Sequence, residues 1–243
     1  MKVRSTLEDN LDAALRSIKK TISDLPKLIA LPEYFSVPNS MENFVSAAKI
    51  YEETYEPTIH FLATASKLLP QGLLVGGTVL EKVGNAFFNT CTVWKNGSLV
   101  ARYQKRNPVA IEKRVGVRGG NKPLVLETEQ CKVGLLVCAD MFDNLAIEET
   151  VKLGAELLVL PVAAMGTHPS VKGHPLTERI ASENGVFVAK VGNVSSSLRG
   201  GRSAVISPWG VLCEASETLR DTVISVDLDM ERLRNYREIL SKA

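Results

Sequence analysis

Two stretches of the chain repeat one short pattern, and this repeat restricts the fold more than any other feature of the sequence. Leu28-Ile-Ala-Leu-Pro32 closely matches Leu157-Leu-Val-Leu-Pro161, and each follows an amphipathic helical pattern. Short apolar runs bounded by turn signals are typical of strands buried on both faces, as in parallel sheets covered by helices. The repeat therefore predicts a layered α/β protein with two similar halves, in which helices pack on sheets.

The two halves differ in what precedes the repeated strand. In the second half, a strand pattern at 133–137 and a helical pattern at 145–153 come before it. In the first half a helical pattern at 7–22 comes before it, and only residues 1–4 stand before that helix. Met-Lys-Val-Arg is too short and too charged to form a full apolar strand. We therefore expect the first half to lack most of one strand.

Local signals predict the remaining elements. Pro57 falls between two helical patterns and is expected to open the second one. Asn96-Gly97 joins two strand patterns and predicts a hairpin, while Gly76-Gly77 would let another backbone approach its strand closely. The basic stretch 104–122 has no clear periodicity, which is typical of a functional or mobile loop. Further strands are expected at 28–31, 73–80, 87–94, 99–103, 124–127, 157–160, 186–191, 204–206, 211–214 and 222–226, and further helices at 175–184 and 230–240.

Composition excludes several classes of function. The net charge is +2 and 45% of the residues are hydrophobic, so the chain does not have the basic character of a nucleic-acid-binding protein. No apolar run reaches the ~18 residues that cross a bilayer, and no hydrophobic signal segment is present at the N-terminus. We expect a cytoplasmic protein that partners neither nucleic acid nor membrane. No linker divides the chain, which predicts one domain over residues 1–243.

The cysteines are expected to be reduced thiols that bind no metal. Cys91, Cys131, Cys138 and Cys213 are far apart and form no C-x-x-C pair. Cys138 directly follows the apolar run 133–137, at a turn before a helix. This order places a side chain at the mouth of a sheet, as in a nucleophile elbow, where the next backbone N–H can stabilise an oxyanion. The alternative is that Cys138 is a small core residue, as most free cysteines are.

Five residues are candidate partners for a nucleophilic cysteine, which needs a base or a cation nearby. Glu33 follows the first repeated strand, where a carboxylate at the rim of a sheet can act as a base. Lys105 follows the hairpin, and its ammonium could stabilise both a thiolate and an oxyanion. Glu112 lies in the same long loop, and all three could instead be solvated surface residues. His168 and His174 could form a Cys–His dyad, which is less favoured because neither has a clear carboxylate partner in the sequence.

Together these residues have a recognisable form. Leu31-Pro-Glu33-Tyr, Tyr103-Gln-Lys105-Arg-x-Pro108 and Gly134-x4-Cys138-Ala-Asp140 occur in this order along the chain. The set resembles the nitrilase superfamily, the carbon–nitrogen hydrolases, and the resemblance covers nearly the whole chain. It implies a four-layer α-β-β-α sandwich of the nitrilase type, here with its first strand cut short, and assembly as a homodimer or larger homo-oligomer. Other matching landmarks are Arg179-x-Ala181-x-Glu183-Asn184, Asn193, Gly201-x-Ser203 and Ser207-Pro-x-Gly210.

The resemblance also implies roles for individual residues. Glu33 would be the general base, Lys105 the cationic stabiliser and Cys138 the nucleophile of a catalytic triad. Glu112 and the N–H of Ala139 would contribute to substrate binding, with no metal and no cofactor. The implied reaction is hydrolysis of a small linear amide through a thioester. Hydrolysis of a nitrile or an N-carbamoyl group, and a non-catalytic binding or scaffold protein of the same fold, remain as alternatives.

The residues after the cysteine depart from the family pattern. Many amidase members carry an aromatic residue directly after the nucleophile, whereas this chain reads Cys138-Ala-Asp-Met-Phe. The substrate pocket is therefore expected to differ, and a particular substrate does not follow from the resemblance.

Overall fold

Two β-sheets face each other at the centre of the molecule, and helices cover their outer faces. The computed structural model describes residues 1–39, 45–163, 173–194, 202–216 and 219–241. The elements of the first half are α1 (Leu7–Lys19), a 3₁₀ turn (Ile22–Asp24), β1 (Leu28–Ala30), α2 (Ala47–Ser66), β2 (Leu73–Val83), β3 (Ala86–Lys95), β4 (Ser98–Gln104), α3 (Ala110–Arg114) and β5 (Val117–Arg118). Those of the second half are β6 (Val125–Glu127), β7 (Lys132–Leu135), a 3₁₀ helix (Cys138–Phe142), α4 (Asn144–Lys152), β8 (Leu157–Val162), α5 (Pro175–Asn184), β9 (Phe187–Gly192), β10 (Ala204–Ser207), β11 (Gly210–Glu214) and α6 (Met230–Leu240).

The two sheets repeat one topology, as the sequence repeat predicts. The first has the order β1-β2-β3-β4 with β5 beside β3, and the second has the order β11-β10-β9-β8-β7-β6. β1 pairs in parallel with β2, and β8 pairs in parallel with β9. An antiparallel hairpin then extends each sheet, through β3 and β4 in the first half and β10 and β11 in the second. β1 to β4 therefore correspond to β8 to β11.

Two strands of the second sheet, β7 and β6 beyond it, have no counterpart in the described part of the first half. β7 pairs in parallel with β8, whereas β1 ends its sheet. In agreement with the expected lack of a strand, residues 1–4 contribute one isolated bridge, in which Lys2 pairs with Val194.

The apolar side chains form the predicted four layers. Between the sheets, Val75 and Val93 of the first sheet belong to the same buried cluster as Val133 and Val159 of the second. A second cluster packs α1 and α2 on the outer face of the first sheet, through residues such as Ile18. Each large aliphatic side chain buried in this way contributes about 1.5–3 kcal/mol, so the core fixes how the two sheets lie on each other.

The prediction that Pro57 opens a separate helix is wrong, because α2 runs through it without a break. A proline inside a helix removes one hydrogen bond and costs about 3 kcal/mol. Thr54, Thr58 and Leu62 lie on the buried side of α2 around this position. Packing of that side on the sheet offsets the local cost.

Two other local predictions are also wrong. The stretch 104–122 is not a plain loop, since it contains α3 and β5. Its helix starts because the Glu112 carboxylate accepts a hydrogen bond from the N–H of Val109. No strand forms at 222–226, where no described strand lies alongside to pair with the backbone groups. The other predicted strands and helices are found within a few residues of their expected bounds, and none of the described helices is long and apolar enough to cross a membrane.

Candidate active site

Cys138 lies on a sharp turn at the end of β7. Its backbone has φ 48°, in the left-handed region that costs a non-glycine residue of order 1 kcal/mol or more. The turn is closed by a hydrogen bond of 3.0 Å from the N–H of Asp140 to the carbonyl of Val137. The side chain is only 1% exposed. This is the predicted strand–turn–helix geometry of a nucleophile elbow.

Lys105 lies between two buried carboxylates. Its Nζ donates to Glu33 Oε1 and to Glu112 Oε2, each over 2.8 Å, and all three side chains are at most 1% exposed. Burial alone would lower the pKa of Lys105, but Glu33, Cys138 and Glu112 outweigh it and raise the pKa. Burial works against ionisation of Glu112 as well, yet Lys105 holds the pKa of Glu112 below its usual value. The ammonium and this carboxylate are therefore both charged at neutral pH.

Glu33 is held where the two sheets meet. It follows β1, and its Oε2 accepts a hydrogen bond of 2.7 Å from the N–H of Ala163, at the end of β8. The following residue, Tyr34, has φ 51°. The predicted close approach occurs at Gly77, where a Cβ atom would lie 2.1 Å from the carbonyl oxygen of Pro32. Only glycine at this position lets the chain before Glu33 pass so close to β2.

Asn89 connects the two glutamates, and sequence reasoning missed it. Its Nδ2 donates to Glu33 Oε1 and to Glu112 Oε1, each over 2.8 Å. Tyr34 Oη also donates to Glu112 Oε1, over 2.6 Å. One sequence feature could have indicated Asn89: it lies in the middle of the apolar strand pattern 87–94, and a side-chain amide that is buried there needs hydrogen-bond partners.

The thiol of Cys138 is neutral at rest and has a carboxylate beside it. Burial, together with the hydrogen-bonded carboxylate of Glu33, raises the pKa of Cys138 well above its usual value, and Lys105 opposes the shift. Ala139 follows in the first turn of the 3₁₀ helix, where backbone N–H groups have no partner inside the helix. The structure thus brings together the five residues to which the resemblance gives roles: Glu33, Lys105, Glu112, Cys138 and Ala139.

Asp140 ties the turn of the cysteine to the turn of the lysine. Its Oδ2 accepts a hydrogen bond of 3.0 Å from the N–H of Val137, in its own turn. Its Oδ1 accepts from the N–H groups of Arg106 (3.1 Å) and Asn107 (2.8 Å), directly after Lys105. One buried carboxylate therefore fixes the turn of Cys138 relative to the turn that follows Lys105.

We expect Asp140→Asn to lower kcat by roughly 10–100-fold with little change in KM for an amide substrate. The amide keeps the shape but replaces one acceptor oxygen by a donor, and each buried N–H left unpaired costs about 1–3 kcal/mol. Tyr103→Phe is the control, because it removes only one hydrogen bond, of 2.9 Å, to the same carboxylate. Steady-state kinetics and thermal melts of both variants check this. A lower Tm with unchanged kcat in Asp140→Asn would contradict the positioning role.

Of the two alternative histidine partners, His174 does not join this group. His174 Nε2 lies 2.9 Å from Glu214 Oε2, and burial, together with Lys190, lowers its pKa. The pKa of Cys138 responds mainly to Glu33, Lys105 and Glu112, whereas that of His174 responds to Lys190, Glu214 and Arg202. His168 lies outside the described residues. Within the described ranges, no group of three His, Cys, Asp or Glu side chains is arranged to hold a metal ion.

Fold and site together define a class: a four-layer α-β-β-α protein with a thiol, an ammonium and two carboxylates buried between its sheets, an arrangement suited to acyl transfer through sulfur. Residues 1–238 match the carbon-nitrogen hydrolase family. The chain belongs to that family, and the predicted superfamily is confirmed.

Known relatives agree with this assignment. The chain is 32% identical to omega-amidase NIT2-B of Xenopus laevis in an alignment of 246 positions that covers 95% of this chain and 86% of the relative. It is 26% identical to Nit3 of Saccharomyces cerevisiae, a member of branch 10 of the nitrilase superfamily, with a TM-score of 0.83 over 99% of this chain and 91% of that one. A mutant of the Nesterenkonia AN1 amidase from the nitrilase superfamily has 25% identity and a TM-score of 0.79 over 100% and 93% of the two chains.

Proposed function

We propose that this protein hydrolyses the terminal amide of a small linear molecule through a thioester on Cys138, and that residues 1–243 act as one domain. The observation that carries the proposal is the Lys105 ammonium, 2.8 Å from the Glu33 carboxylate, with both charges acting on the buried Cys138 thiol and its pKa. The names of the relatives, omega-amidase and amidase, favour an amide over a nitrile or an N-carbamoyl group.

In the first step the sulfur of Cys138 attacks the amide carbon while Glu33 accepts the thiol proton. The carbonyl oxygen becomes an oxyanion, which is bound by the ammonium of Lys105 and the backbone N–H of Ala139. Two donors of this ammonium are used by carboxylates in the described structure, and its third is available to the substrate. Preorganised donors of this kind are worth about 2.7–4 kcal/mol each in the transition state.

In the second step the C–N bond breaks and Glu33 returns the proton to the leaving nitrogen, so ammonia departs and a thioester remains. Water then attacks the thioester carbon as Glu33 accepts a proton from it. Collapse of this intermediate releases the carboxylic acid and restores the thiol. Glu112 contributes to substrate binding through Lys105, which it holds in place, and no cofactor enters the cycle.

The experiment is to trap the thioester. Short terminal amides, with and without a second carboxylate, are incubated with the protein, and intact-mass and peptide-mass measurements follow the adduct. We expect ammonia and acid in equal amounts, one acyl group per chain on Cys138, and hydroxamate formation when hydroxylamine is present. Cys91→Ala should behave as the wild type. Turnover without an adduct on Cys138 would contradict the mechanism, and faster turnover of the matching nitrile would contradict the amide as substrate.

Compartment and assembly are part of the proposal. We place the protein in the cytoplasm because its four cysteines are free thiols. We also propose a homodimer or larger homo-oligomer, because Phe142 and Leu145 are 48% and 51% exposed beside the turn of Cys138 and offer an apolar surface for a second copy. Sedimentation of the protein as a monomer at micromolar concentration would rule the assembly out.

A further inference from the structure

The two buried glutamates of the active site differ in how many hydrogen bonds their carboxylates accept. Glu112 accepts four, two on each oxygen. Its Oε1 accepts from Tyr34 Oη and from Asn89 Nδ2. Its Oε2 accepts from Lys105 Nζ and from the N–H of Val109. A carboxylate has about four lone-pair positions, so the acceptor positions of Glu112 are all in use.

In the described structure Glu33 accepts three hydrogen bonds from neighbours that keep their protons. Its Oε1 accepts from Asn89 Nδ2 and Lys105 Nζ, and its Oε2 accepts from the N–H of Ala163. One position on Oε2 is therefore left for a proton. A proton on Glu112 would instead displace one of its donors, and a buried donor without an acceptor destabilises the folded state.

The hydroxyl of Tyr34 accounts for the difference between the two glutamates. Lys105 Nζ and Asn89 Nδ2 each donate once to both carboxylates, and each carboxylate also accepts one backbone N–H. These contributions are equal in number for the two glutamates. The bond that remains joins Tyr34 Oη to Glu112 Oε1 over 2.6 Å, which is the length of a strong hydrogen bond to an ionised oxygen.

Tyr34 is held in a backbone conformation that disfavours a side chain. Its φ of 51° lies in the left-handed region, and its N–H donates to Thr78 Oγ1 over 3.0 Å. Its side chain is buried, and burial, followed by the charge of Glu112, raises the pKa of Tyr34 well above its usual value. The hydroxyl therefore keeps its proton and stays a donor. Strained conformations of this kind cluster at functional sites, where the surroundings enforce them.

The electrostatic surroundings agree with the hydrogen bonds. Burial opposes ionisation of Glu112, but the charge of Lys105 and the Tyr34 hydroxyl lower its pKa. The titratable groups that face the two glutamates or their lysine are Lys105 after β4, Tyr34 after β1, Cys91 on β3, and Cys138 and Asp140 in the 3₁₀ helix. Burial raises the pKa of the phenol and of both thiols, and Asp140 accepts donors from its own turn and from the turn after Lys105. The proton that the thiol releases is therefore divided between Glu33 and Glu112.

We propose that Tyr34 is a positioning residue that keeps Glu112 an anion, so that the thiol proton goes to Glu33. In this step the S–H bond breaks with its electrons left on sulfur, and an O–H bond forms on Glu33, while Glu112 keeps its charge and its hold on Lys105. Without the Tyr34 hydroxyl both carboxylates have three donors and compete for one proton. The role in turnover rests on the proposed hydrolysis, whereas the order in which the carboxylates take up a proton is also measurable in the resting protein.

The first test is the pH dependence of Tyr34→Phe, which keeps the ring and removes only the oxygen. For short terminal amides, the acid limb of kcat/KM should move up by about one pH unit, because Glu112 loses a hydrogen bond to its charged form and its pKa rises. Once Glu112 holds a proton, Glu33 faces the ammonium alone and becomes a weaker base. A residue with only a structural role would lower kcat/KM equally at every pH.

The second test needs no turnover. Alkylation of Cys138 by iodoacetamide, followed by peptide mass, depends on transfer of the thiol proton to the same base, so its acid limb should move up equally in Tyr34→Phe. Infrared spectra of Tyr34→Phe should show the band of a protonated carboxyl group at a pH where the wild type lacks it. At that pH the band should be absent from Tyr34→Phe/Glu112→Gln.

Two further variants separate the number of donors on Glu112 from general damage to the site. Val109→Pro removes the N–H that donates to Glu112 Oε2, and φ −75° at Val109 suits proline. It should move both acid limbs in the same direction as Tyr34→Phe. Tyr103→Phe is the control, because it removes a hydroxyl from another buried carboxylate, Asp140, and should keep the acid limb of the wild type. Thermal melts confirm that each variant folds.

Either of two results would overturn the proposal. One is an acid limb at the wild-type pH in Tyr34→Phe and Val109→Pro, in alkylation as in turnover. The other is an infrared band that persists in the double variant, which would place the proton on a group other than Glu112. A wild type that hydrolyses no amide, but whose alkylation limb shifts in both variants, would contradict the proposed hydrolysis and still support this order of protonation.

Discussion

Cys138→Ala is expected to abolish amide turnover, by roughly 10⁴-fold or more, in a protein that remains folded. Alanine removes the sulfur beside Glu33 and Lys105. A second thiol, Cys91, lies on β3, where burial raises its pKa and keeps it protonated. The charged groups that act on the thiol of Cys138 are Glu33, Lys105 and Glu112. Loss of this thiol therefore removes the nucleophile and little of what holds the two sheets together.

The left-handed backbone at Cys138 gives this prediction a sharp control. Glycine accepts φ 48° without strain, so Cys138→Gly should be more stable than Cys138→Ala by about 1 kcal/mol. Cys91 is an equally buried cysteine in the extended strand β3. There the order should reverse, with Cys91→Gly less stable than Cys91→Ala by about 0.5–1 kcal/mol. Both Cys91 variants should keep turnover.

Chemical denaturation of the four variants, with ammonia release as the activity assay, measures these effects. Residual turnover of Cys138→Ala above a hundredth of wild type would exclude Cys138 as the nucleophile. The same stability order at both positions would mean that the turn at Cys138 is not strained.

Lys105→Met should lose turnover and also about 3–5 kcal/mol of folding free energy. Methionine fills the same space but leaves the buried carboxylates of Glu33 and Glu112 without their cation. Two buried carboxylates that share a site cannot both ionise without a large cost, so at least one takes up a proton and its pKa rises. The proposed oxyanion contact is lost in the same change.

This loss of stability has a predictable pH dependence. In the wild type the lowered pKa of Glu112 gives stability that is present above its unfolded pKa, of about 4.3, and is lost as pH falls through the folded pKa. In Lys105→Met the carboxylate pKa is raised in the folded state, so the folded state holds more protons than the unfolded state. Its free energy of unfolding therefore falls as pH rises above about 4.3. The difference between the free energies of unfolding of the two proteins should therefore grow from pH 4 toward pH 7.

Lys190→Met is the matched control, because Lys190 is also a buried lysine on a strand, 2% exposed. Its Nζ donates to the carbonyl of Gly173 over 3.0 Å. Burial lowers the pKa of Lys190 to about 8, so its charge opposes folding below pH 8, and stability returns as pH rises from about 8 to 10.4. Lys190→Met should keep turnover and be at least as stable as the wild type at pH 7. It should not show the wild type's gain in stability between about pH 8 and 10.4.

Denaturation curves from pH 4 to 10 decide between the two lysines. If Lys105→Met were as stable as the wild type at pH 7, the buried charge group would not have the role proposed for it. If both variants lost turnover equally, the proposed oxyanion role of Lys105 would lose its support.

Much of the fold could be predicted from local sequence patterns, because the elements that these patterns predict are found in the structure. The repeated strands, the Asn96-Gly97 hairpin and the helix that ends before Gly185 depend on residues close in sequence, and all are found. The failures come from distant contacts. Packing on the sheet keeps α2 unbroken through Pro57, and 222–226 lacks a described strand beside it.

The candidate site shows the same division. Glu33, Lys105 and Cys138 follow strands, so their positions at sheet ends could be predicted. Asn89 could not be assigned a role, because its two partners lie 56 and 23 residues away in the chain. Asp140 was visible only as part of a motif, and its function as a link between two turns appears only when both turns are in place.

The members of the charge group and the sulfur come from different sheets. Glu33, Lys105 and Glu112 are carried by the first sheet and its connections, and Cys138 by the second. The separation between the Cys138 sulfur and the Glu33 carboxylate therefore depends on how the two sheets are positioned on each other. Substitutions of side chains in that interior, such as Val93 and Val159, are thus expected to alter the reaction rate through this separation, without contact to substrate, as well as the folding free energy.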